Sequence, residues 1–217
     1  MGEVLRCSQR RPSAQVVARV ADVLASGGVV VLPTDSVYGL CCAAREGNPA
    51  HGRIFAMKGR DRAQTLPWFV ADAADLLAYG RDVPGWALRA AEAFWPGALT
   101  LVVRASAAVP AEYAQPGRGA APATIALRVP GSALVRAVVR ELGCPLAQTS
   151  ANTHGLAAAT SGADVEPVLA AAADLVVDAG PAPLAQASTI VDATGPEPRV
   201  LREGALVAAD VLAACRP

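Results

Sequence analysis

The sequence predicts an α/β fold on a mixed sheet, and three observations carry that expectation. Short runs of aliphatic and β-branched residues recur along the chain, at Val29 to Leu32, Ala98 to Val103, Thr124 to Val129 and Ser188 to Asp192. Between them lie segments whose apolar residues return at helical spacing, such as Val16, Val17, Val20, Val23 and Leu24. The alternation of the two types is irregular, so parallel and antiparallel neighbours are expected side by side rather than one repeated crossover unit.

Each element follows from local chemistry. Ser13 offers the small hydroxyl of a helix N-cap, and Gly27 and Gly28 stop the helix it opens. Val29 to Leu32 reads as a buried strand. It breaks after Pro33 into Thr34, Asp35 and Ser36, then returns to apolar sequence through Tyr38 and Gly39. A second helix begins near Asn48, carries Ile54, Phe55 and Met57, and ends in the basic run Lys58 to Arg62. Leu66 to Val70 is a short strand whose Pro67 puts it at a sheet edge or delays its start.

Asp72 is placed to cap a short helix, and Pro84 suits the first turn of the next, which runs to Trp95. After the strand at Ala98 to Val103, the stretch from Ala105 to Ala123 is rich in Ala, Pro and Gly. It reads as a long loop of the kind used as a lid or binding segment. Thr124 to Val129 is a strand, Ser132 caps a helix to Leu142, and Cys144 to Gln148 is again a strand before the polar run Thr149 to Gly155. A helix over about Ala163 to Ala172 and strands at Asp174 to Asp178, Ser188 to Asp192 and Arg199 to Arg202 complete the expectation.

Bulk composition narrows the function. With 217 residues the chain can bury one substantial core, and 53% apolar against 18% charged residues is a globular composition. One domain over residues 10–207 is expected, with no additional C-terminal domain. Nineteen Lys and Arg balance nineteen Asp and Glu, which disfavours a strongly basic nucleic-acid binder. Five cysteines and two histidines form no zinc-ligand spacing, and scattered thiols fit a reducing cytoplasm. No apolar run approaches membrane-spanning length, and the N-terminal residues lack the apolar core of a signal peptide.

The familiar phosphate loops and nucleophile elbow are absent, and two histidines in poor contexts give a Ser-His-Asp arrangement little to build on. What remains is a set of strand and helix ends that break into polar residues. Small hydroxyls and amides at Thr34, Ser36, Thr149, Ser150, Asn152, Ser188 and Thr189 suit a compact polar ligand. The cations Lys58, Arg60, Arg128 and Arg202 suit phosphates and a carboxylate. Each segment alone also has an ordinary reading: Thr34 to Ser36 as a turn, Lys58 to Arg62 as a solvated helix end, Thr149 to Asn152 as a turn and cap. Arg128 is the exception, because an arginine among apolar neighbours needs a partner.

Taken in order, "PTDSVYGL", "KGR", "WPGALTLVV", "IALRVP", "PLAQTSANTHG" and "STIVDATGPEPRVLREG" resemble the YrdC-like family, the threonylcarbamoyl-AMP synthases, from about Ser13 to Gly204. The resemblance implies a single α/β domain, with a twisted mixed sheet and flanking helices around a large concave cavity. It implies synthesis of L-threonylcarbamoyladenylate and pyrophosphate from L-threonine, bicarbonate and ATP with Mg2+. Threonylcarbamoyl-transferase complex proteins then carry the group to the adenosine beside the anticodon of tRNA, so tRNA is an indirect partner.

Position by position, the resemblance implies Thr34, Phe69, Arg128, Gln148 and Ser188 on the threonine side. It implies Lys58 and Arg60, also the catalytic cations, with Gln64, Thr124, Ser150, Asn152 and Arg202 on the nucleotide side. Ser36, His154 and the long side chain of Gln148 depart from the usual pattern. Two other readings stay open on the residues: an RNA-binding module, and a relative that activates carbamoyl phosphate.

Overall fold

Short strands and amphipathic helices do alternate irregularly in the computed structural model, which describes residues 3–59, 61, 64–117 and 119–216. The elements are β1 (Glu3–Arg6), α1 (Ala14–Ala25), β2 (Val30–Leu32), β3 (Gly39–Ala43), α2 (Pro49–Lys58), β4 (Trp68–Phe69), α3 (Asp75–Tyr79), β5 (Gly80–Arg81) and α4 (Gly85–Phe94). They continue as β6 (Leu99–Ala105), β7 (Thr124–Arg128), α5 (Ala133–Leu142), β8 (Leu146–Ser150), α6 (Pro167–Ala172), β9 (Leu175–Asp178), β10 (Thr189–Asp192), β11 (Arg199–Arg202) and α7 (Ala208–Ala214). All strands join one sheet in the order β1-β9-β2-β3-β8-β4-β7-β6-β10-β11, with β5 added beside β6. The sheet is mixed: β2 is parallel to β9 but antiparallel to β3, and β7 is parallel to β4 but antiparallel to β6.

Helices cover the two faces unequally. On one face α2, α4, α6 and α7 bury Ile54, Phe55, Ala87, Leu169 and Val211 against Val31, Leu40, Trp68, Leu101, Leu127 and Val191, so this core spans the sheet from β2 to β10. On the other face α1 and α5 bury Val20, Leu24, Leu134 and Val138 against Val30, Leu32, Cys41, Phe69, Leu146 and Leu175. That second core includes no residue of β6, β7 or β10. Among the described residues half of one sheet face therefore has no helix over it, and a cavity occupies that half.

Ser13 and Asn48 cap α1 and α2 as expected, each accepting a hydrogen bond from a first-turn amide, and Ser132 does the same for α5. Other details differ from expectation. Of the two readings of Pro67 the delayed start holds and the edge does not: β4 begins after it and lies mid-sheet, where the Pro67 carbonyl still accepts the Gln148 amide at 2.9 Å. Asp72 is not a cap. Its carboxylate pairs with Arg140 at 2.8 Å, while Asp75 Oδ2 accepts the Ala71 and Asp72 amides at 3.0 and 3.1 Å. The helix expected over Ala163 to Ala172 divides into a turn at Gly162–Asp164 and α6, which starts at Pro167, where the missing N–H costs nothing.

The described residues from Ala105 to Gln115 are tied down rather than left as a free lid. Tyr113 is fully buried and donates to the Arg45 carbonyl at 2.9 Å. Glu112 accepts the Gly47 amide at 2.7 Å, and Gln115 pairs with Thr124 through both backbone groups. Among the described residues no helix is long and apolar enough to cross a membrane.

Candidate active site

The open half-face is built from strand register. Ile190 on β10 lies opposite Thr100 on β6, and Phe69 on β4 lies opposite Arg128 on β7. The β6–β7 ladder pairs Leu101 with Leu127, so Thr100 and Arg128 are the next residues facing each other across it. Side chains alternate along a strand, which puts Ile190, Thr100, Arg128 and Phe69 in one row on one face. This row floors a cavity of about 280 Å³, whose walls include Ser36, Gln148, Ser150, Ser188 and Arg202.

Arg128 is the chemical centre of the row. Only 3% of it is exposed, and its guanidinium is held on three sides. Nε donates to the Gly97 carbonyl at 2.8 Å, Nη1 to Ser36 Oγ at 2.7 Å, and Nη2 to Asp35 Oδ1 at 2.7 Å. The Phe69 ring lies 5.7 Å away, at cation–π distance. Burial pulls the guanidinium below its ordinary pKa, the Asp35 carboxylate pushes back, and the charge of Arg202 adds to the lowering. Two of its five N–H groups have no described partner and can meet a ligand.

The break in the apolar run after Pro33 now has a cause. Thr34 Oγ1 donates to the Val37 carbonyl at 2.7 Å and accepts the Ser36 amide at 3.0 Å, which locks the turn. Asp35 then reaches Arg128 and also accepts the Gly131 amide at 2.9 Å. A β-carbon on Gly131 would stand 2.9 Å from the Asp35 carboxyl carbon, so only glycine lets the two loops approach.

At the other end of the row, Arg202 donates to the Ser188 carbonyl at 2.8 Å, and Ser188 Oγ lies 2.8 Å from Thr100 Oγ1. Among the described residues Arg202 has no carboxylate partner, and burial lowers its pKa. One guanidinium is therefore balanced by Asp35 and the other is not, which leaves the cavity an excess of positive charge suited to an anion.

Of the residues expected at the site, Phe69, Arg128, Gln148, Ser150, Ser188 and Arg202 line the cavity. Thr34 lies just behind it, shaping the turn. Lys58 is also behind: it is 3% exposed, and Nζ bonds the Ser150 carbonyl at 2.6 Å, the Asn152 carbonyl at 2.7 Å and Asn152 Oδ1 at 2.9 Å. Thr124 sits four residues before Arg128 on β7, away from the lining, and Gln64 is exposed outside it. Arg60 lies outside the described residues.

Sequence reasoning missed Thr65, Thr100 and Ile190 as wall residues and Asp35 as the partner of Arg128. Thr100 carried the same signal as Arg128, a polar residue inside an apolar strand.

Cysteine chemistry has no place here. Neither Cys41 nor Cys42 is among the lining residues. Burial pushes the Cys42 thiol up to about 12 and the Cys41 thiol well above its ordinary value, so both are neutral at physiological pH. Cys41→Ala and Cys42→Ala are each expected to keep turnover within about twofold of the parent once folding is checked by circular dichroism. Loss of turnover in a folded variant would refute this.

Residues 22–204 match the model of the Sua5/YciO/YrdC family, which carries the description "Telomere recombination". A Bacillus subtilis protein named threonylcarbamoyl-AMP synthase is 31% identical over 201 residues, 93% of this chain and 57% of that protein. The chain thus spans little more than half the length of that relative. The crystal structure of Pyrococcus abyssi Sua5 complexed with L-threonine is similar with a TM-score of 0.88 at 28% identity, covering 99% of this chain and 60% of that one. The Escherichia coli YciO structure is similar at 0.82 and 27% identity, over 94% of this chain and 96% of its own. The half-covered sheet, the ordered motifs around it and a family match over most of the length agree: the chain belongs to the Sua5/YciO/YrdC family.

Proposed function

We propose that the chain forms L-threonylcarbamoyladenylate and pyrophosphate from L-threonine, bicarbonate or carbon dioxide, and ATP. The observation that carries this reading is Arg128, a buried guanidinium with N–H groups to spare at the floor of a small polar cavity. Such a group suits the carboxylate of an amino acid. Its counterpart across the row, Arg202, suits phosphate. The similarity to a named threonylcarbamoyl-AMP synthase and to a threonine-bound Sua5 supports the choice of threonine.

In this reading threonine's amine takes up carbon dioxide to give a carbamate. A carbamate oxygen then attacks the α-phosphorus of ATP, the bond to the bridging oxygen breaks, and pyrophosphate leaves with the electron pair. The protein's part is positioning and charge neutralisation. Arg128 holds the carboxylate, the Ser188 and Thr100 hydroxyls line the floor beside it, and we assign Arg60 and Arg202 to the phosphates. Lys58 fixes the loop that presents Ser150.

Among the described residues no three His, Cys, Asp or Glu side chains gather into a metal site, and Asp35 is already bonded to Arg128. We assign Mg2+ to the triphosphate oxygens of ATP, where it would supply charge neutralisation. The activated group would pass to transferase proteins that modify tRNA. The free thiols at all five cysteines suit work in the reducing cytoplasm.

The test is pyrophosphate release from ATP with each of threonine and bicarbonate omitted in turn. Release should fall to background without either one. Release that persists at full rate without threonine would overturn the reading.

A further inference from the structure

One wall group of the cavity has no role in the scheme so far. Gln148 on β8 is half-buried and lines the cavity. Its backbone amide is bonded to Pro67, yet its side-chain carboxamide has no hydrogen-bond partner among the described residues. The side chain lies over Gly39, where an added β-carbon would come within 3.5 Å of Gln148 Oε1.

A carboxamide in a cavity wall offers an acceptor oxygen and a donor N–H on one edge, side by side. Its complement is a group with a donor beside an acceptor on one planar edge. Free threonine lacks that edge, because its amine is a tetrahedral ammonium. Bicarbonate presents a related edge through its O–H, but it lacks the amino acid carboxylate that Arg128 would hold in the same cavity. A carbamate has the edge, since in a planar N–H–carboxylate one oxygen always lies on the same side as the N–H. The two edges close an eight-membered ring with two hydrogen bonds, and on the amino acid that edge comes into being only when the carbon–nitrogen bond forms.

We propose that Gln148 recognises the carbamate of the amino acid substrate rather than the amino acid itself, pulling the carbamate equilibrium toward the species that attacks ATP. The proposal rests on the synthase reading above. No charge is added by this contact, so the carbamate keeps the nucleophilicity that a second arginine in its place would damp.

Gln148→Ala and Gln148→Glu test it. The first removes both hydrogen bonds, and the second keeps the shape but presents a carboxylate to the carbamate. Initial rates of pyrophosphate release are measured against bicarbonate at saturating threonine and ATP. Threonine affinity is measured separately by calorimetry, in buffer stripped of carbon dioxide. Gln148→Ala should raise the bicarbonate concentration at half-maximal rate roughly tenfold or more, and Gln148→Glu further. Threonine affinity without bicarbonate should change by less than about twofold in both.

A parallel loss of threonine affinity in the stripped buffer would make Gln148 an ordinary threonine contact and overturn the proposal. So would bicarbonate dependence that does not move in either folded variant. Parent protein that releases pyrophosphate without needing bicarbonate would instead overturn the synthase reading, and this proposal with it.

Discussion

Arg128→Ala is expected to abolish measurable threonine binding and to destabilise the protein by about 3–5 kcal/mol, because it leaves the Asp35 carboxylate uncompensated. The Asp35 side chain is only 14% exposed and loses a 2.7 Å charge-assisted partner, retaining the Gly131 amide. Direct loss of the guanidinium's contact with the ligand adds roughly 1.5–3 kcal/mol, ten- to a hundred-fold in affinity. The two effects can be separated. In the double variant Asp35→Asn, Arg128→Met the buried pair is replaced by neutral groups of similar size, so much of the stability should return. Threonine affinity should not return with it, whereas ATP affinity should stay within about threefold of the parent. Denaturant midpoints give the first quantity and calorimetry the other two. Recovery of threonine binding in the double variant would show that Arg128 matters only as half of an ion pair.

The second large effect is expected at Lys58. Lys58→Met fills the same space but leaves three oxygens, on Ser150 and Asn152, without their ammonium partner. Hydrogen bonds to a charged group contribute roughly 1.5–3 kcal/mol each, though not additively, so a loss of about 3 kcal/mol is the expected scale. The loop that follows β8 should loosen locally. Glu166 holds it from the far side, accepting the Thr153 amide at 2.6 Å and the Thr153 hydroxyl at 2.8 Å, and those bonds keep the Glu166 carboxyl below its ordinary pKa. Amide exchange at residues 150–153 should therefore quicken far more than at α5, with turnover falling as Ser150 loses its fixed position. Unchanged exchange in that loop would mean the ammonium is not its clasp, and would return Lys58 to direct contact with phosphate.

Much of this was legible in the residues. Periodicity and caps placed α1, α2, α4 and α5, since Ser13, Asn48 and Ser132 act through bonds within a few residues of themselves. Arg128 announced itself as a cation in an apolar strand. The errors came where the deciding partner is distant in sequence. Asp72 was claimed by Arg140, 68 residues away, and the loop after β6 was fastened by Tyr113 to Arg45, also 68 residues away. β1 went unread because a four-residue strand with three exposed positions carries little periodicity. For Lys58 the sequence shows the charge but not the bonds to Ser150 and Asn152 that its ammonium makes.

The sheet ends on both sides in short strands, β1 and β11, whose outer backbone groups face no neighbouring strand among the described residues. Such edges are templates for pairing with another molecule, and a chain of zero formal net charge has little overall repulsion to keep copies apart. Protection against aggregation must then be local. Glu3 and Arg6 on β1, and Arg199 and Arg202 on β11, put an exposed charge near both ends of each edge strand. A register shift at Ile190/Val191 further spoils β11 as a flat template. Arg202 thus guards the solubility of the fold from the same position at which it faces the cavity. Replacing it in search of altered nucleotide affinity would also expose Leu201, already 49% accessible, on a strand with one fewer charge to keep neighbours away.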